Sequence, residues 1–114
     1  MTYRLQGVFG AIADPHRRQI LDYLMASDLT AGELADKFDI SRPAVAKHLR
    51  VLEDNDLIRI TRRGRERVHR LNPEPLMTVR DWLGRYERFW DANLGRLKAL
   101  VEAEAERNER EEPS

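Results

Sequence analysis

Residues 30–57 read TAGELADKFDISRPAVAKHLRVLEDNDL, and their start signals decide the fold. Thr30 is a cap for a first helix, and Glu33, three residues on, completes a capping box. Leu29 and Leu34 flank that cap at the spacing of a hydrophobic staple. The device is partly repeated: Ser41 caps a second helix, with Ile40 and Val45 at the matching staple positions. Pro43 falls in the first turn, where a missing N–H costs little. Two short capped helices joined by a tight turn predict a helix-turn-helix, with the second helix as the groove reader.

The helical wheel supports this. At about 100° per residue, Val45, Leu49 and Leu52 share one face. Pro43, Lys47, Arg50 and Asp54 lie opposite, with Arg42, Ala44, Ala46 and Val51 on the flanks. Small residues near the N-terminal end permit close approach to a major groove, while Lys and Arg reach phosphates or guanine edges. A solvated amphipathic helix in an ordinary bundle is the competing reading.

Working outward, Leu5, Val8, Phe9 and Ile12 predict a short first helix. Asp14-Pro15 restarts the chain as cap and first helical residue, and Ile20, Leu21, Leu24 and Met25 form the buried stripe of a second helix. Arg17 and Arg18 near its start suit either a phosphate contact or a surface salt bridge. After Leu57 the period changes. Residues 57–61 and 67–71 are short and rich in β-branched side chains, Ile58, Ile60, Val68 and Arg70 fit alternation, and Gly64 supplies a permissive turn. This predicts a hairpin whose tip carries Arg62, Arg63 and Arg65: a wing able to reach backbone phosphates or a narrow minor groove.

Asn72-Pro73-Glu74-Pro75 breaks the chain, with Asn72 as a candidate cap for a long final helix. Its stripe is Leu76, Val79, Leu83, Tyr86, Trp90, Leu94, Leu97 and Val101, widened by Trp82, Phe89 and Leu100. That is more apolar surface than a small head covers, so a second copy of the chain is expected to cover it. The interface assigned from this is Leu5, Val79, Leu83, Tyr86, Trp90, Leu94 and Leu97. The aromatics Trp82, Tyr86, Phe89 and Trp90 suit plain core better than a pocket for an apolar effector.

Composition sets bounds. The 114 residues form one domain in this reading, with no cysteine and therefore neither disulfide nor thiolate metal site. The net charge is zero, but the charge is polarised. Residues 41–70 hold nine Lys/Arg and four Asp/Glu; residues 99–114 hold six Glu and two Arg. The opening residues lack the layout of a secretory signal and no apolar run reaches membrane-spanning length, so a cytoplasmic protein without membrane contact is expected.

The segments ADPHRRQIL, DLTAGELADKFDISRPAVAKHLRVLEDNDLI and RRGRERVHRLNPEPL resemble the ArsR-type winged-helix repressors of prokaryotes. DWLGRYERFWDANLGRLKALVE resembles the C-terminal dimer helix of a cysteine-poor branch of that family. The resemblance implies a homodimer that binds operator DNA and represses transcription, often of its own operon. It assigns recognition to Arg42, Pro43, Ala46 and Lys47. Ser41 and Arg50 complete the candidate reading surface. Metal-sensing members place a cysteine pair in the first helix of the helix-turn-helix, or use His and carboxylate on the terminal helices. Glu33 to Lys37 here contain no thiol, and the terminal helix has no histidine. His16, His48 and His69 lie far apart in sequence, so no metal site or cofactor is assigned.

The expected fold is mainly α with a small β-hairpin: a winged helix-turn-helix in the order α-α-α-α-β-β-α, dimerising through terminal helices. The DNA-binding domain with its dimerisation helix (about 75–105) spans residues 1–107, and 108–114 form a charged, disordered tail. The expected function is a dimeric, sequence-specific repressor on an inverted-repeat operator in double-stranded DNA. The alternative is a winged-helix module that docks on protein. No nucleophile–base pair, glycine-rich phosphate loop or ligand cluster suggests catalysis.

Overall fold

A computed structural model describes residues 4–111, with side chains through Glu109. The elements run α1 (Leu5–Ile12), α2 (Pro15–Ala26), β1 (Leu29–Thr30), α3 (Ala31–Ala35), α4 (Arg42–Asp54), β2 (Ile58–Arg63), β3 (Glu66–Leu71), α5 (Leu76–Gly84) and α6 (Glu87–Glu111). The chain divides into two compact units, Met1–Arg80 and Asp81–Ser114.

In the first unit the caps lie where local chemistry puts them. The Asp14 carboxylate accepts from the amides of His16 and Arg17 at 2.8 and 3.2 Å, and Pro15 opens α2. Thr30 and Glu33 form the reciprocal capping box, at 3.1 and 3.0 Å. Ser41 Oγ accepts from Ala44 N at 3.2 Å. Each such cap stabilises its helix by about 1 kcal/mol. The core they surround is Val8, Ala11, Ile20, Leu21, Leu24, Leu34, Val45, Leu49, Leu52, Leu57 and Ile58. Leu29 and Ile40, the staple residues outside the caps, pack against it. Met25 departs from expectation and is exposed. It sits in the last turn of α2, at the far edge of a stripe already filled by Ile20, Leu21 and Leu24.

Arg17 and Arg18 reach back to the end of α1. Arg17 donates from Nε to Ala11 O (2.6 Å) and from Nη2 to Gly10 O (3.0 Å). Arg18 donates from Nη1 to Ile12 O and Ala13 O, at 2.8 and 3.1 Å. Two guanidiniums from the next helix thus satisfy the orphan carbonyls that end α1.

The end of α4 is a Schellman turn. Leu57 N bonds Leu52 O, Asp56 N bonds Glu53 O, and Asp56 takes the left-handed position with φ 58°. Asn72 is not a helix cap. Its Nδ2 donates to Asp56 O at 2.7 Å and its backbone N to Leu57 O at 2.9 Å. It therefore ties the end of the hairpin to the end of the reading helix. α5 opens instead on single-turn bonds from Leu76, Met77 and Thr78 to Pro73, Glu74 and Pro75.

The hairpin has one strand more than expected. β1 pairs with β3, and the sheet order is β1-β3-β2, all antiparallel. β3 is the central strand, and its neighbours Val68 and His69, which point to opposite faces, are both buried, while Arg70 is exposed. Arg63 pairs with Glu66, leaving a two-residue turn in which Gly64 (φ 64°) takes the left-handed position.

The final helix is two helices. Gly84 weakens the segment, and Arg85 N and Tyr86 N reach back only three residues, to Trp82 O and Leu83 O. α6 then runs to Glu111, so residues 108–111 are helical rather than part of a disordered tail; 112–114 lie outside the described residues. An Ala/Glu/Arg-rich end with Arg107 3.3 Å from Glu104 favours that continuation.

Candidate nucleic-acid interface

The reading helix α4 buries Val45, Leu49 and Leu52 and exposes Arg42, Pro43, Ala46, Lys47 and Arg50. Ser41 precedes them, exposed, with its hydroxyl occupied as the cap. Arg42 lies 3.8 Å from Asp36, with both side chains about three-quarters exposed. Such a pair contributes roughly 0–1 kcal/mol and exchanges readily for a phosphate. The α4 N-terminus adds its partial positive charge to the same surface.

The wing arginines do not form one cluster. Arg62 and Arg63 are consecutive in β2, so they project from opposite faces of the sheet, and Arg65 sits in the turn. Arg62 shares parity with Ile60 and stands directly across from Arg67. That pairing brings Arg67, a residue not assigned from the sequence, onto the α4 side. There Ala46, Arg50, Glu53, Ile60, Arg67 and His69 line a cleft of about 230 Å³ between reading helix and hairpin. Like charges directly across strands destabilise each other, so Arg62 and Arg67 are poised to gain from an anion between them. The register could have revealed this: counting from Ile60, every second residue of both strands faces α4.

His69 is 5 % exposed, with Nδ1 3.3 Å from Leu29 O. Burial holds its imidazole below the ordinary value, partly offset by that bond. It is structural, joining β1 to β3. His48, at the edge of the buried face of α4, is likewise lowered by burial despite the nearby Asp14 carboxylate. His16 and His48 are 32 positions apart yet lie with ring centroids 5.5 Å apart beside Asp14. Burial pushes the Asp14 carboxyl up, but the Arg17 and His16 amides and the charges of His48 and Arg17 bring it below the ordinary value.

Of the residues assigned to an interface, Val79 is half-buried against the first unit's core and Leu5 is half-buried at the start of α1. In the second unit Leu83, Tyr86, Trp90, Leu94 and Leu97 are all exposed, along with Phe89, Leu100 and Val101. Trp82 meets Tyr86 edge-on at 5.2 Å. Among the described residues no helix is long and apolar enough to cross a membrane.

A capped reading helix with an exposed basic face, set beside an arginine-rich hairpin, defines a winged helix-turn-helix DNA-binding protein. Known proteins agree. The family described as a helix-turn-helix domain matches residues 12–61. The chain is 39 % identical to the transcriptional repressor SdpR of Bacillus subtilis over 79 residues, 69 % of this chain and 88 % of that one. It is 38 % identical to the HTH-type transcriptional regulator Rv2034 of Mycobacterium tuberculosis over 106 residues, 92 % and 96 % of the two chains. Among solved structures, an ArsR family transcriptional regulator, RHA00566, superposes with a TM-score of 0.69 at 39 % identity, covering 76 % of this chain and 96 % of the other. The chain belongs to the ArsR-type winged helix-turn-helix family and is a DNA-binding transcriptional regulator.

Proposed function

We propose that the protein is a homodimeric repressor that binds an inverted-repeat operator and has no catalytic role. The observation that carries this reading is the exposed face of Arg42, Pro43, Ala46, Lys47 and Arg50, flanked by Arg62, Arg63, Arg65 and Arg67. Arg42 and Lys47 read base edges; Ser41 and Arg50 position the helix; the hairpin arginines grip the phosphate backbone. Two reading helices about 34 Å apart then enter successive major grooves. The working compartment is the one that holds the chromosome, the cytoplasm.

The exposed apolar side chains of the second unit support the dimer. Leu83, Tyr86, Trp90, Leu94 and Leu97 of the second unit and Leu5 and Val79 of the first are the proposed contacts with the partner copy. An isolated chain would leave a patch far larger than single exposed apolar residues make. A protein-docking module would not need the basic face and wing.

The test is a gel-shift titration against operator DNA recovered from bound genomic fragments. Arg42→Ala/Lys47→Ala is expected to lose about 1–3 kcal/mol per base contact and to relax sequence preference. Arg63→Ala should weaken every duplex alike and flatten the salt dependence. Unchanged operator affinity in the double variant would show that α4 is not the reading element.

A further inference from the structure

Asp14 and His16 at the start of α2 and His48 in the middle of α4 bring one carboxylate and two imidazoles together. His16 Nδ1 lies 3.9 Å and His48 Nδ1 4.0 Å from Asp14 Oδ1. The two rings are tilted by 35°, and one donor atom from each residue lies within 4.8 Å of the others. We propose that these three side chains form a binding site for a single divalent transition ion of the zinc class.

The donor chemistry selects the ion. Two borderline imidazole nitrogens with one carboxylate oxygen suit Zn²⁺ or Co²⁺ and poorly suit Mg²⁺, which takes oxygen ligands. Three protein ligands leave a fourth position for water. Bonds of about 2.0–2.1 Å place tetrahedral ligand atoms roughly 3.4 Å apart. Closing the two Asp14–His separations from 3.9 and 4.0 Å asks for about half an ångström each, and the separation between the two imidazoles, within 4.8 Å, for at most about 1.4 Å, within reach of side-chain rotation.

The surroundings are half-buried and already oriented. The His16 and Arg17 amides hold Asp14 Oδ1, as outer-shell bonds hold a ligating carboxylate, and the carboxylate keeps a second oxygen. Phe38 meets the His16 ring edge-on at 5.8 Å. One competitor is present: Arg17 Nη1 lies 3.3 Å from His48 Nδ1. Arg17 is anchored independently through Nε and Nη2, so it can release His48 without losing its place. The positive end of α2 opposes a cation, which makes the Asp14 charge essential to the site. These ligands are neither in the first helix of the helix-turn-helix nor on the terminal helix. An ion here would bridge the first turn of α2 to the reading helix and stabilise the folded chain by mass action.

The test is chelator-competition titration of the untagged, metal-stripped full chain with Zn²⁺, Co²⁺ and Mg²⁺, with melting followed in parallel. One Zn²⁺ per chain, a Co²⁺ spectrum of low coordination number, a metal-dependent rise in Tm and no response to Mg²⁺ are expected. His16→Phe keeps a ring against Phe38 and removes both donors. Asp14→Asn keeps a cap and removes the charge. Each should weaken Zn²⁺ by at least about 10-fold, since even outer-shell losses cost that much. Circular dichroism shows which variants fold, and either folded variant decides the question. No competition with the chelator by the parent chain, or undiminished Zn²⁺ affinity in a folded variant, overturns the site.

Discussion

The two units spend the same kinds of side chain in opposite ways. In the first, Ile20, Leu34, Leu52 and Leu57 are wholly buried. In the second, Phe89, Leu94, Leu97 and Leu100 are each more than half exposed. Both sets follow helical spacing, so periodicity alone does not tell a finished core from a surface awaiting a partner. The difference is what lies opposite. The reading helix meets α2, α3 and β2, whereas the apolar stripe of α6, from Phe89 to Val101, lies open to solvent. The closed core thus belongs to the first unit, and the second leaves its apolar side chains exposed.

That contrast is open to direct attack. Leu52→Ala has the largest expected effect, a loss of roughly 2–5 kcal/mol of folding stability that does not vary with protein concentration. Urea unfolding at several concentrations checks it; a loss below about 1 kcal/mol would mean that Leu52 is not in a closed core. Trp90→Ala should leave folding of the separate chain nearly intact but weaken self-association by about 2 kcal/mol, close to 30-fold, as central aromatic anchors do. Sedimentation equilibrium reads this. If Trp90→Ala instead lowered stability like Leu52→Ala, with no change in association, the helix would be packed within its own chain.

Legibility in the sequence followed the range of each interaction. Asp14, Thr30, Glu33 and Ser41 bond to amides two or three residues away, so their roles could be read from spacing. Asn72 has the same local look, yet its partner is Asp56 O, sixteen residues back, and its capping role was a misreading. β1 is two residues long and exists only through pairing with β3, leaving no periodic signal. The break after Gly84 was masked by a stripe whose spacing carries straight across it. Arg67 needed the hairpin register, and the meeting of His16 with His48 needed the packing of α2 on α4. The exposed basic face of α4 was legible because one helix contains both its buried and its exposed side.

The smallest expected effect separates the units by chemistry. All three histidines lie in the first unit and none in the second. Burial keeps His69 and His48 neutral below the ordinary imidazole value of about 6.5. Above that value folded and unfolded chains are both neutral there, and the contribution is complete. As pH falls through it, the unfolded chain takes up protons first, so stability is lost progressively until the lowered folded values are passed. In chelator, the urea midpoint should therefore fall between pH 7 and pH 5, and His69→Gln should reduce that fall. Self-association through α6 should be unchanged over the same interval, because α6 carries no histidine. An equal fall in His69→Gln and in His48→Gln alike would remove these imidazoles as the cause. A parallel loss of association would mean that the two units do not divide folding and pairing between them.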